Sequence, residues 1–125
     1  MLLREPYLKS SAWLVAEIER KNLEGFLCSI TITTIHYLVE KVKGRKVAIT
    51  QIENLLKIFD ITQVDKLCLE SALKSKLTDF EDAVLNESAS RAGLDGIVTR
   101  NEKDFKQSKL TVYNPEELLK IINSL

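Results

Sequence analysis

Four short apolar runs, each set between stretches of helical periodicity, constrain this fold more than any other feature of the chain. They cover residues 26–30 (FLCSI), 57–63 (KIFDITQ), 96–99 (GIVT) and 110–113 (LTVY). Each reads as a short buried strand. Helical patterns fill the intervals, over about 7–22, 31–43, 47–57, 65–76 and 78–93, with a last helix after 113. Strands that alternate with helices argue for an α/β domain with a parallel sheet covered on both faces. In such sheets ligands bind beyond the carboxyl ends of the strands. Thr99, Arg100 and Asn101 stand at one such end.

The punctuation agrees with this division. Pro6 opens the first helix, with Ala12, Val15 and Ile18 as inward candidates, and Gly25 follows as its stop. Gly44 ends the second helix, and Asp65 can cap the fourth. Thr78 and Glu81 have the spacing of a capping box, in which each side chain satisfies a free backbone N–H of the other. Gly93 should end that helix, and Asn114, Pro115 and Glu116 open the last one.

With 125 residues, no repeat and no Pro/Gly-rich linker, residues 1–125 read as one domain with one core. The net charge is zero, so no global basic field advertises nucleic acid. A local patch remains open, because Arg91, Arg100, Lys103, Lys106 and Lys109 lie close together in sequence. No apolar run is long enough to span a bilayer, and MLLREPYLKSS is neither a signal nor a transit peptide, so a cytoplasmic protein without membrane contact is expected. Cys28 and Cys68 form no CxxC and sit among apolar residues, which favours buried thiols in a reducing compartment. A single histidine, His36, argues against a histidine-based zinc centre and is read as structural.

The richest chemistry lies between Thr78 and Phe105, in TDFEDAVLNESASRAGLDGIVTRNEKDF. Asp79, Asp82 and Asn86 are spaced i, i+3, i+7 and would share one helix face. Two carboxylates so placed can hold a hard cation through oxygen ligands. Acids in a first helical turn also favour the macrodipole, and on spacing alone that plainer reading is the better one. Asn101 and Asp104 follow the GIVT strand, where they can add oxygen ligands or cap a short turn. Thr31, Thr33 and Thr34 follow the first apolar run, where hydroxyls can bind phosphate or cap a helix. Tyr7 and Trp13 are read as packing residues, and the basic stretch 41–46 as a solvated turn. There is no Ser-His-Asp arrangement, no GxGxxG and no P-loop.

The stretch DFEDAVLNESASRAGLDGIVTRNEKDF, followed by LTVYNPEELL, resembles the C-terminal half of PIN-domain proteins, the group that contains VapC-like toxin ribonucleases. REPYLKSSAWLVAEIERKNLEGFLCSITITTIHYLV resembles their N-terminal half after its first strand. The resemblance implies a three-layer α/β/α domain with a short parallel sheet, at whose edge acidic residues bind Mg²⁺ or Mn²⁺ for RNA hydrolysis. It assigns Asp82 and Asp79 as catalytic, Asp82, Asp79, Asn101 and Asp104 as metal ligands, and Thr99, Arg100 and Thr34 as phosphate contacts. RNA, a small antitoxin protein and further copies of the chain are the implied partners.

The chain departs from that pattern. Family members begin with a strand ending in Asp, then Thr-Asn; this chain begins Met1-Leu2-Leu3-Arg4, like the segment after that strand. The domain is therefore expected to be N-terminally truncated, lacking the first strand and its acid. The second acid falls at about Thr34 and the fourth at Asn101. Such a set predicts weak cation binding, because charge must compensate dehydration of the ion. The expected function is an impaired metal-dependent ribonuclease or, as the alternative, a degenerate RNA- or protein-binding module without catalysis. A vacant central strand would leave neighbouring strands to close up, stay apart or borrow a strand, and would favour self-association.

Overall fold

The computed structural model describes residues 1–3 and 9–124. Five parallel strands form one sheet: β1 (Leu2–Leu3), β2 (Phe26–Cys28), β3 (Asp60–Thr62), β4 (Gly96–Val98) and β5 (Thr111–Tyr113). Their spatial order is β3-β2-β1-β4-β5. Among the described residues six α-helices accompany them: α1 (Lys9–Glu19), α2 (Ser29–Lys43), α3 (Arg45–Ile58), α4 (Lys66–Leu73), α5 (Phe80–Arg91) and α6 (Pro115–Asn123). A short 3₁₀ turn at Glu102–Phe105 joins β4 to β5.

The three layers follow from the pleat of the strands. Successive side chains point to opposite faces, so neighbours in one strand enter different cores. Cys28 and Ile97 pack with Cys68, Val84, Leu85 and Phe105, in the layer of α4 and α5. Leu27 and Val98 pack with Phe59, Leu118 and Leu119, backed by Val15 and Ile18, in the layer of α1, α3 and α6. Burial on both faces is why β2 and β4 read as apolar runs, whereas the edge strands β3 and β5 carry the exposed Asp60 and Thr111.

The central place in the sheet is filled. Leu2 pairs with Phe26 on one side and Ile97 on the other, and Leu3 pairs with Val98. Phe26 N–H donates to Met1 O at 2.8 Å, and the Met1 ammonium donates to Glu24 O at 2.8 Å. Two residues thus take the place that the sequence reading left vacant, and they do so because both neighbouring strands offer backbone groups that burial obliges them to pair. Met1-Leu2-Leu3 brings no carboxylate to that place.

Other boundaries shift for local reasons. Residues 29 and 30, read as strand, already belong to α2. The cap of α5 is Asp79 rather than Thr78: its carboxylate accepts the Asp82 N–H at 2.9 Å, which moves the helix start one residue on. Gly25 is not a helix stop, since α1 ends at Glu19. It is buried, and a Cβ there would lie 2.3 Å from Ile18 Cδ1 and 2.9 Å from Phe59 Cδ1, so a close approach of α1 and the 59 segment requires glycine. Gly44, at φ 90°, does stop α2, and Asp65 and Asn114 cap α4 and α6 as read. The proposed opening of α1 at Pro6 lies outside the described residues.

Both thiols are buried, and burial pushes the Cys68 thiol up, with Cys28 adding to the effect. Thr62 shows a different kind of buried group. Its hydroxyl, at the carboxyl end of β3, has no hydrogen-bond partner among the described residues. Thr62→Val removes an unsatisfied polar atom at nearly constant shape. It is expected to raise stability by about 1 kcal/mol in urea denaturation. Among the described residues no helix is long and apolar enough to cross a membrane.

Candidate functional site

The strand order itself selects a place. The chain builds β1, β2 and β3 outward in one direction, then returns to lay β4 on the other side of β1. In open α/β sheets the ligand crevice lies at such a switch in strand order, beyond the carboxyl ends of the strands, here β1 and β4. Thr99 follows β4 directly. Its N–H donates to Tyr113 O at 2.9 Å, and its buried Oγ1 accepts the Asn101 N–H at 3.1 Å. That turn carries the chain from β4 into the 3₁₀ segment. There the Asp104 N–H donates to Asn101 O at 3.0 Å, and Phe105 anchors the segment in the core.

Helix α5 meets this crevice with its N-terminal end, because it precedes β4 and runs antiparallel to it. Asp82 lies in its first turn and is only 2% exposed, among buried Ala83, Val84 and Leu85. Carboxylates are seldom buried this fully, so its place inside the helix layer marks it more strongly than its spacing did. Asp79 is exposed at the cap. Asp79→Ala is expected to cost about 1 kcal/mol of stability through the lost cap, read as a lower urea midpoint. Asn86 is half-buried and accepts a short hydrogen bond from the Ser108 hydroxyl.

The remaining sequence candidates fall as follows. Asn101 and Asp104 are exposed on the 3₁₀ turn, and the Asn101 side chain makes no cap bond. Arg100 donates to Glu116 Oε1 at 2.9 Å, which links the crevice to the start of α6. Thr34 is exposed on α2, and its hydroxyl donates back to Ile30 O at 3.1 Å. Thr33 uses the same carbonyl at 2.8 Å. The basic patch expected from sequence divides in space. Arg100 pairs with Glu116, Lys103 and Lys106 flank one hollow, and Lys109 lines another. Sequence reading missed the orphaned Thr62 hydroxyl and the Ser108 link to Asn86. The first had no signal in the sequence; the second joins residues whose proximity depends on the fold.

Among the described residues no three of His, Cys, Asp and Glu gather where they could hold a metal ion. Asp82 supplies a buried charge and Thr99 a buried neutral oxygen. This donor set does not make a multi-carboxylate cradle for a divalent cation, and any ion held here would keep most of its own waters.

Comparison with known proteins places the fold. A family model described as the PIN domain matches residues 1–103. The chain is similar to VapBC2 from Rickettsia felis bound to a DNA fragment from their promoter, with a TM-score of 0.68 and 18% identity over 91% of this chain and 98% of that one. It is similar to FitAcB from Neisseria gonorrhoeae, with a TM-score of 0.66 and 20% identity over 93% and 99% of the two chains. A toxin–antitoxin complex from Klebsiella pneumoniae aligns with a TM-score of 0.61 and 18% identity, over 91% and 96%. Comparison with curated proteins finds no match.

Proposed function

The chain belongs to the PIN-domain family, and on that premise we propose that it is a ribonuclease of low intrinsic activity, the toxin-type partner of a small antitoxin protein. The observation that carries this reading is Asp82, a buried carboxylate at the carboxyl-end crevice of the parallel sheet. Its charge and the Thr99 turn define where a phosphodiester would be handled. The low activity follows from the donor set. With Asp82 as the one buried carboxylate of the described residues, Mg²⁺ or Mn²⁺ would bind weakly, so cleavage should require millimolar ion.

An antitoxin fits the surface as well as the similar toxin–antitoxin structures. Helices α2 and α3 expose Leu38, Val42 and Val47 around an apolar groove of about 500 Å³ that Val39 and Leu55 also line. Contiguous exposed apolar surface of this kind marks protein contacts, whether with an antitoxin or a further copy of the chain.

The test is cleavage of a labelled single-stranded RNA by purified protein across a Mn²⁺ titration. Cleavage that rises over the millimolar range and is abolished by chelator supports the proposal. RNA binding with no cleavage at any ion concentration would move the protein to the second reading, a PIN-like binding module. The absence of a three-acid cluster among the described residues favours that reading.

A further inference from the structure

A cleft of about 560 Å³ opens between the end of α4, the outer side of α5 and the turn before β5. Lys74, Lys76 and Lys109 line it together with Asn86, Glu87 and Ser90. Three ammonium groups against one carboxylate make it locally positive in a chain of zero net charge. All three lysines are exposed, and among the described residues none of them forms an ion pair. Lys74 stands at the C-cap of α4, where the helix dipole alone would favour it. Lys76 and Lys109 have no such explanation, since each lies in a connecting segment outside the helices.

The cleft is built rather than incidental. The Ser108 hydroxyl bonds the Asn86 amide oxygen, and the Leu110 N–H donates to Ser108 Oγ at 3.0 Å. These bonds pin the Lys109 turn against α5 and hold the wall in place. The cleft lies toward the far end of α5 from the crevice, since Thr111, just after the Lys109 turn, pairs with Gly96 at the start of β4, whereas Thr99 follows the end of that strand. Asp82, Asn86 and Ser90 recur every fourth residue along one stripe of α5. At the rise of an α-helix, Asn86 lies about 6 Å and Ser90 about 12 Å from Asp82 along the axis.

We propose that this cleft holds the phosphodiester backbone of single-stranded RNA farther along the strand from the nucleotide bound at Asp82, down the stripe of α5 that Asn86 and Ser90 mark. The proposal rests on the ribonuclease reading above and names how a neutral chain would grip a polyanion: three lysines neutralise neighbouring phosphates and release their counterions. Asn86 and Ser90 offer uncharged polar groups along the same path.

The experiment measures anisotropy of a fluorescein-labelled single-stranded RNA in chelator, over a salt series, for the intact chain. The triple variant Lys74→Ala, Lys76→Ala, Lys109→Ala is expected to bind about tenfold or more weaker, with a log–log salt slope shallower by about 2. A control, Lys43→Ala, Lys46→Ala, Lys57→Ala, removes equal charge from α2 and α3 and should leave affinity and slope near wild type. Circular dichroism checks that each variant is folded. Equal loss in both triples, or no loss in the first, overturns the cleft. If wild type then still cleaves RNA and Asp82→Asn does not, the nuclease reading survives alone. Lysine-dependent binding without cleavage by wild type keeps the cleft and removes the nuclease reading. No RNA binding by wild type overturns both.

Discussion

Asp82→Asn is expected to lower divalent-ion-dependent RNA cleavage about a hundredfold or more. The substitution keeps the shape of the side chain and removes its charge. The cap bond to residue 82 comes from its backbone N–H, so the substitution leaves that bond in place. What is lost is the buried negative charge of the described crevice. An electrostatic contribution of about 3 kcal/mol at a reacting phosphate corresponds to roughly a hundredfold in rate. RNA affinity measured in chelator should not fall, because Asp82 repels rather than attracts phosphate. Equal cleavage by wild type and variant would assign the activity to a contaminating nuclease and sink the role given to Asp82.

The largest effect on stability is expected from Phe105→Ala, at about 3–5 kcal/mol. Phe105 is fully buried and is the largest such side chain among the described residues. It ends the 3₁₀ turn and enters the core that Ile97, Leu85 and Val84 share. Truncation removes that contact area and leaves a cavity that α5 and the sheet cannot close without distorting one another. The loss is a large fraction of the stability of a domain of this size. It should appear as a lower urea midpoint with the same slope. A midpoint nearly unchanged would show that the turn does not depend on its anchor. The same variant should loosen the path of Asn101 and Asp104, so cleavage should fall as well.

The element pattern was legible because local rules and tertiary structure agree along most of the chain. The four apolar runs became β2 to β5, and Asp65, Gly44 and Asn114 cap or stop helices as their chemistry requires. Where local rules competed, tertiary structure decided. Thr78 and Asp79 both suit an N-cap, and Asp79 takes the bond. Gly25 looked like punctuation, yet its reason is the side chain of Ile18, distant in sequence terms from any turn rule. A two-residue β1 lies below the length at which any pattern can be recognised, and it exists because β2 and β4 flank it.

The α/β class, the parallel sheet and the stretch richest in candidate ligands are legible in the residues alone, since they follow from periodicity and chain order. That stretch carries seven acids, Asp79 and Asp82 among them. Packing alone separates those two acids by burial. Spacing treated Asp79 and Asp82 as equals on one helix face, whereas packing leaves Asp79 at the surface and places Asp82 inside the α5 layer. Burial and the meeting of lysines from separate segments are properties of contacts between distant residues, and no local pattern records them. That is why the Thr78–Phe105 stretch could be found by reading, while the burial of Asp82 and the lysine cleft had to be seen in three dimensions.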